Sequence, residues 1–306
     1  MAVSRAHFGG VRSRSSVVPR RDAQSTPVEF DRPSVTRYGT AIETELMGDA
    51  DVRTSLEHGA ELKRTSMRIA AVGDLHCSKE SAGELRPIFA HADGRADVLV
   101  LCGDLTDYGH PEEAHVLVHE LSVVKLPIIA VLGNHDYEAG HAAKITEILS
   151  EAGVRVLDGD AHTIDDVGFA GVKGFCGGFG RSTLGPWGEP IVKAFVKEAI
   201  DEALKLESAL ARLRTQRTVA LLHYSPIRET VIGEPEEIYP FLGCSRLEEP
   251  LERFPPTVVF HGHVHRGHLE GKTRVGTPVY NVSLPLLRRT SAEHPLRIVE
   301  LSLADA

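Results

Sequence analysis

The chain has 306 residues, 34 Lys+Arg against 43 Asp+Glu for a formal net charge of -9, and 42 % of its residues are apolar. These values are ordinary for globular proteins and exclude a collagen-like, disulfide-scaffold or wholly disordered chain. The apolar runs at 97–102, 127–132 and 218–222 fall far short of the roughly 20 residues of a membrane-spanning helix, and the acidic balance argues against a non-specific grip on nucleic acid.

Residues 1–66 carry no sustained helical or strand period. They are rich in Ser, Thr, Arg, Pro and Gly, and such a segment buries too little apolar surface to offset its ordering entropy. We read 1–66 as a disordered extension, with a short helix at 41–46, and 67–306 as the folded domain. The four cysteines, Cys77, Cys102, Cys176 and Cys244, are far apart and form no C-x-x-C pair. Reduced thiols and a cytoplasmic protein are the expectation, with Cys102 a buried hydrophobe.

From Met67 onward apolar runs of four to seven residues recur, each ending in Gly or a polar residue. Residues 68–72 run into Gly73-Asp74, 97–102 into Gly103-Asp104, 127–132 into Gly133-Asn134, 218–222 into His223, and 257–260 into His261-Gly262. Continuous apolar runs suit strands covered on both faces. Helical patterns lie between them at 80–91, 111–124, 139–152 and 190–213. The last has Pro190 in its first turn and apolar positions Ile191, Phe195, Ala199, Leu206, Leu210 and Leu213. Further strands are predicted at 154–157, 161–165, 167–173, 277–282 and 296–301. Strands alternating with helices imply an α/β domain with parallel pairing.

Ligand sites in open α/β sheets lie beyond the carboxyl ends of the strands. Here five successive strand ends carry Asp74 and His76, Asp104, Asn134 and His135, His223, and His263 and His265. This mixed nitrogen and oxygen set is too large for one tetrahedral ion and is used fully by two ions sharing a carboxylate. It suits Mn, Fe, Zn, Co or Ni without choosing among them. Paired metals about 3.5–4 Å apart are a standard device for displacement at phosphorus.

Asp74-Leu75-His76, Gly103-Asp104-Leu105-Thr106-Asp107, Gly133-Asn134-His135-Asp136, the lone His223 and Gly262-His263-Val264-His265 resemble, in order and spacing, the calcineurin-like metallophosphoesterase superfamily. The resemblance implies a four-layer α/β/β/α sandwich of two mixed sheets flanked by helices. It also implies that Asp74, His76 and His265 hold one divalent metal, that Asn134, His223 and His263 hold the other, and that Asp104 bridges them. A metal-bridging hydroxide would attack the phosphoester. His135 would stabilise the phosphoryl group and protonate the leaving oxygen, and Asp107 stands where related enzymes use an acid to orient that histidine. Asn134 would also meet the substrate.

Departures from related patterns narrow the branch. Purple acid phosphatases place a Tyr where this chain has Asp107, and protein Ser/Thr phosphatases place an Arg where it has Tyr108. What remains is the bacterial branch of small phosphodiesterases, cyclic-nucleotide enzymes included. A small phosphodiester or phosphomonoester is therefore the expected substrate, the diester favoured. A nuclease on DNA or RNA ends and a non-catalytic scaffold are the competing classes. No basic stripe with stacking aromatics favours the nuclease, and no ligand is missing as a scaffold would require. The Gly-rich stretch 174–181 offers Arg181 as a phosphate clamp and Phe179 as a base-stacking ring, or is a plain surface loop. Residues 224–252 are read as a lid or a subunit contact, the latter allowing a homodimer. His110, His115, His119, His141 and His162 are read as solvated, His261 as pointing away from the site, and Asp136 as a plain loop residue.

Overall fold

The computed structural model describes residues 64–304. The readings for 1–63, including the helix at 41–46, lie outside the described residues. The first strand begins at Ser66, one residue before the expected boundary. In chain order the elements are β1 (Ser66–Val72), α1 (Arg86–Ala90), β2 (Val98–Cys102), α2 (Pro111–Leu121), β3 (Ile128–Val131), α3 (Asn134–Tyr137), α4 (Ala142–Glu151), β4 (Val154–Val156), β5 (Asp160–Ile164), β6 (Val167–Gly171), α5 (Pro190–Arg212), β7 (Arg217–Leu221), α6 (Tyr239–Leu242), α7 (Glu248–Arg253), β8 (Val258–His261), β9 (Glu270–Lys272), β10 (Pro278–Asn281), α8 (Leu284–Thr290) and β11 (Arg297–Ser302).

Two mixed sheets are flanked by helices. The first runs β11-β1-β2-β3-β4 and the second β5-β6-β7-β8-β10-β9. In the first only β11 is antiparallel to its neighbour. In the second β6, β7, β8 and β10 are parallel and the edge strands β5 and β9 are antiparallel. All five residues of β2 are buried, as a central strand covered on both faces requires. Side chains alternate faces along a strand. Thus Val219 and Leu221 of β7 join the core shared with β1–β3, whereas Ala220 and Leu222 pack with Leu206 and Leu210 of α5. The four cysteines are free and buried. Among the described residues no helix is long and apolar enough to cross a membrane.

Several local expectations shift. The pattern at 80–91 gives only the five-residue α1, with Pro87 in its first turn. A proline is tolerated there and would break a helix interior. Residues 81–85 turn instead, and the carboxylate of the buried Glu120 accepts N–H bonds from Gly83, Leu85 and Arg86 at 2.8, 3.0 and 2.9 Å. On α5, Ile191 is 76 % exposed and the buried stripe starts at Val196. It includes Glu202, which accepts the Gly174 N–H at 2.8 Å and so holds the chain beyond β6.

Parallel pairing puts strand ends side by side. Val72 pairs with Leu101, Cys102 with Val131 and Leu221 with Phe260. The loops after β1, β2, β3, β7 and β8 therefore open on one rim.

Candidate metal centre

The loops on that rim are tied to one another by main-chain bonds. Asp74 N–H donates to Gly103 O (2.9 Å), His76 N–H to Asp104 O (3.0 Å) and Gly262 N–H to His223 O (3.1 Å). This zipping forces unusual backbone. Asp74, His76, Asp104 and His263 have left-handed φ of 54, 44, 47 and 66°, and Asp165 is the only other described non-glycine residue that does. Such conformations cost about 1–2 kcal/mol each, and they gather at functional sites where surrounding structure imposes them. Two glycines permit the crowding. Gly103 has φ 80°, and a Cβ there would lie 2.4 Å from His223 Nδ1; a Cβ on Gly133 would lie 2.2 Å from Asp104 Oδ1.

Among the described residues three groups of possible ligands converge: Asp74, Asp104, His223 and His263; Asp74, His76 and His265; and His76, Asp107 and His135. Asp74 belongs to the first two. Asp104 also spans them, with Oδ1 3.3 Å from His223 Nε2 and Oδ2 3.8 Å from His76 Nε2. Asp74 accepts the His263 N–H on Oδ1 and Oδ2 at 2.9 and 2.8 Å, and its Oδ1 lies 3.0 Å from His265 Nε2.

The chemistry of this donor set suits a metal ion. His223 Nδ1 lies 3.0 Å from the Cys102 carbonyl, which can only accept, so Nδ1 carries the proton. Nε2 then faces Asp104 Oδ1 at 3.3 Å and Asn134 Oδ1 at 3.0 Å. Either a second proton on this ring or a bound cation meets those oxygens. Burial works against a charged His223, yet the Asp104 carboxylate pushes this imidazole up to about 9. Burial likewise opposes ionisation of Asp104, but His223 and the His135 N–H bond at 2.9 Å hold its carboxyl far below the usual range. In the second group His76 Nε2 is buried without a hydrogen-bond partner, and Asp104 Oδ2 at 3.8 Å is too distant to serve. The bond to Asp74 raises His265 against the effect of burial. Burial, then nearby His223, pushes His263 down to about 4. Its Nε2 faces the Phe241 carbonyl at 3.1 Å, so the neutral ring keeps a lone pair on Nδ1. Oxygen and imidazole donors without thiolate fit divalent transition metals.

His135 belongs to neither of the first two groups and meets His76 and Asp107 in the third. Its Nδ1 lies 2.6 Å from the main-chain carbonyl of Asp107, and its ring meets His76 edge-on at 4.6 Å. The expected contact between the Asp107 carboxylate and His135 is replaced by another: Asp107 Oδ1 lies 3.3 Å from His76 Nδ1. The cause is the bond from Asp107 N–H to Cys77 O (3.1 Å), which draws residue 107 alongside the loop that carries His76.

Arg181 is not brought to the cluster. It is exposed and lines a cleft of about 910 Å³ with Arg228, Arg246, Glu248, Lys272 and Arg274, among others. None of the Asp and His residues above lines that cleft. Phe179 is 9 % exposed and packs with Val231, Tyr239, Leu242 and Val264, so it is core rather than an open stacking ring. Residues 224–252 form α6, α7 and short turns, with bridges Ser225–Gly243 and Gly178–Cys244. His115, His119 and His141 are exposed, and His110 and His162 half-buried. The buried His261 bonds Gly262 O and Thr230 Oγ1 at 2.8 and 2.9 Å, away from the cluster.

Asp136 is the residue that sequence reasoning missed. It is fully buried, and its Oδ1 accepts the Thr106 N–H and Oγ1–H at 2.8 and 2.6 Å. Its Oδ2 accepts the Gly133 N–H at 2.7 Å and the Leu105 N–H at 3.2 Å. Burial, then Asp104, pushes this carboxyl up against the pull of those donors. One side chain thus locks the loop of Asp104 to the loop of Asn134. The available signal was its place three residues after Gly133, where an acid bonds back to the N-terminal N–H of a helix.

A family model described as calcineurin-like phosphoesterase matches residues 67–267. No curated protein matches the chain. Among solved structures, TT1561 of Thermus thermophilus is 15 % identical, covering 78 % of this chain and 100 % of that one with a TM-score of 0.47. GAP50, the anchor in the inner membrane complex of Plasmodium, is 12 % identical over 72 % and 73 % of the two chains, TM-score 0.48. A putative 5'-nucleotidase from Staphylococcus aureus in complex with alpha-ketoglutarate is 17 % identical over 78 % and 51 %, TM-score 0.48.

Proposed function

This chain belongs to the calcineurin-like phosphoesterase family, and on that premise we propose that it is a two-metal phosphoric ester hydrolase acting on a small phosphodiester. Residues 67–306 make up the catalytic domain. Asp74, His76 and His265 would hold one divalent ion, Asn134, His223 and His263 the other, and Asp104 would serve both. When bound, the metals supply an activated water nucleophile and neutralise charge on the phosphoryl oxygens. The observation that carries the reading is the convergence of Asp74, Asp104, His223 and His263 in one group and Asp74, His76 and His265 in another, with His76 Nε2 buried and without a hydrogen-bond partner.

The chain's own groups do the remaining work. His135 Nδ1 donates to the Asp107 carbonyl, so proton exchange falls to Nε2. A second proton there makes the imidazolium that protonates the leaving oxygen, and the ring returns as neutral imidazole. The His135 N–H holds Asp104 from the other side, which links the acid's position to the carboxylate's. The diester reading rests on the resemblance of the motifs to the small-phosphodiesterase branch; the charge beside His265 is mixed, with Glu234 accepting the Arg266 N–H at 2.6 Å and the Arg289 guanidinium donating to the His265 carbonyl.

The test is metal-stripped full chain reloaded with Mn, Fe, Co, Ni or Zn. It is assayed on bis-p-nitrophenyl phosphate, p-nitrophenyl phosphate, cyclic nucleotides and single-stranded DNA, with bound metal counted in the same samples. Two ions per chain, with the diester turned over faster than the monoester, is the expected result. Activity with one ion or none would contradict the two-metal reading. Turnover confined to DNA would make the protein a nuclease, and binding without any turnover a scaffold.

A further inference from the structure

Asp107 touches two imidazoles through two different groups. Its main-chain carbonyl lies 2.6 Å from His135 Nδ1, and its carboxylate Oδ1 lies 3.3 Å from His76 Nδ1. We propose that the Asp107 side chain is a positioning residue for His76, and that it leaves His135 to the main chain. This rests on the metal-hydrolase reading and names which half of the centre the carboxylate serves.

The argument starts from the His76 ring. Its Nε2 is buried with no hydrogen-bond partner and faces Asp104 Oδ2 at 3.8 Å. A neutral imidazole has one N–H and one lone pair. A carboxylate beside Nδ1 favours the tautomer with the proton on Nδ1, which turns the lone pair of Nε2 inward to the acceptor group. The opposite tautomer would set the Nδ1 lone pair against the carboxylate and bury an unpaired N–H. Carboxylates that receive the outer N–H of a metal-binding histidine fix its ring and tautomer, and losing one typically weakens metal binding about 10–100-fold. His76 also has a left-handed φ of 44°, so its ring is placed by a strained loop and gains from a second anchor. Asp107 is held for the task by its N–H bond to Cys77 O. Neighbouring Thr106 is clamped twice by Asp136.

Asp107 meets His135 at hydrogen-bond distance through its main-chain carbonyl, while its carboxylate, though within 4.8 Å of a His135 ring nitrogen, lies 3.3 Å from His76. A side-chain substitution at 107 leaves the carbonyl that receives His135 Nδ1–H in place. Asp107→Asn and Asp107→Ala should therefore weaken one of two zinc-binding events about 10–100-fold and leave the other unchanged. Zinc titration of the metal-stripped full chain against a chromophoric chelator reads this without any turnover. With saturating metal, both variants should lose equal factors of rate on esters with poor and good leaving groups. The thermal midpoint of the metal-free protein should stay near wild type, because the Asp107 side chain is 28 % exposed. A zinc isotherm identical to wild type, or a loss confined to poor leaving groups, overturns the assignment. A third measurement needs no substitution: long-range 1H–15N spectra of the zinc-loaded wild type should show the His76 proton on Nδ1. A proton on Nε2 refutes the proposal. A wild type that binds none of Mn, Fe, Co, Ni or Zn overturns the hydrolase reading and this inference with it, whereas metal binding without turnover with any of the five overturns only the former.

Discussion

Replacing Asp136 with asparagine tests whether one buried carboxylate holds the two central loops together. In the wild type four donors end on it, two on each oxygen. Asparagine must put an NH2 group at one oxygen position. At the Oδ2 position it would face the N–H groups of Leu105 and Gly133, two donors that cannot turn. At the Oδ1 position the Thr106 hydroxyl can rotate to accept, and one buried N–H, that of Thr106, is orphaned. The second arrangement is the better one. An orphaned buried N–H costs about 1–3 kcal/mol, and the surviving bonds lose the strength that an ionised acceptor lends them. Relief of a buried charge beside Asp104 offsets part of this loss, as the raised Asp136 carboxyl implies. The net destabilisation should be about 2–3 kcal/mol, or roughly 5–10 °C in Tm for a domain of this size. Thermal unfolding in chelator keeps metal linkage out of the measurement. Metal affinity measured separately should also fall, because the loops of Asp104 and Asn134 lose their common anchor. A Tm lowered by less than about 2 °C would refute the reasoning.

His135→Ala should keep the metal content and the fold of the wild type, yet lose about 10²–10⁴ in rate on an ester with an alkoxide-like leaving group and less on a p-nitrophenyl ester; equal losses would mean that His135 only stabilises charge. Gly103→Ala should lower stability by about 2–4 kcal/mol, combining a left-handed φ with a Cβ 2.4 Å from His223 Nδ1, and should shed metal. Denaturant midpoints and bound-metal counts that match wild type would sink that reading. Glu120→Gln should cost about 1–3 kcal/mol near neutral pH. Burial of Glu120 alone would raise its carboxyl, but the N–H groups of Gly83, Arg86 and Leu85 outweigh this and hold it below its ordinary range. A depressed folded-state pKa gives stability that is present above the unfolded value of about 4.3 and is lost as pH falls through the folded one. The gap between wild type and Glu120→Gln should therefore narrow on acidification, and a gap independent of pH would contradict the assignment.

What the sequence determined by itself is the strand-loop scheme and the identity of the converging residues. Parallel strands covered on both faces read as short apolar runs, and each of five runs ends on a residue that can bind metal. A linear reading therefore places Asp74, Asp104, Asn134, His223 and His263 on one rim. Local chemistry also sufficed for the start of α5 at Pro190 and for the burial of Cys102. Only the tertiary structure decided where side chains point once the strands have ended. Asp74, His76, Asp104 and His263 leave the strand conformation for left-handed backbone, so alternation no longer predicts their direction. The directions come instead from main-chain bonds between loops about thirty residues apart in sequence, such as Asp74 N–H to Gly103 O and Asp107 N–H to Cys77 O. Those bonds turn the Asp107 carboxylate to His76 and its carbonyl to His135, and they bury Asp136 among four donors. Nothing in the order of the residues encodes that partition, because the partners sit on the loops after β1, β2 and β3 and meet only when those three strands pair side by side.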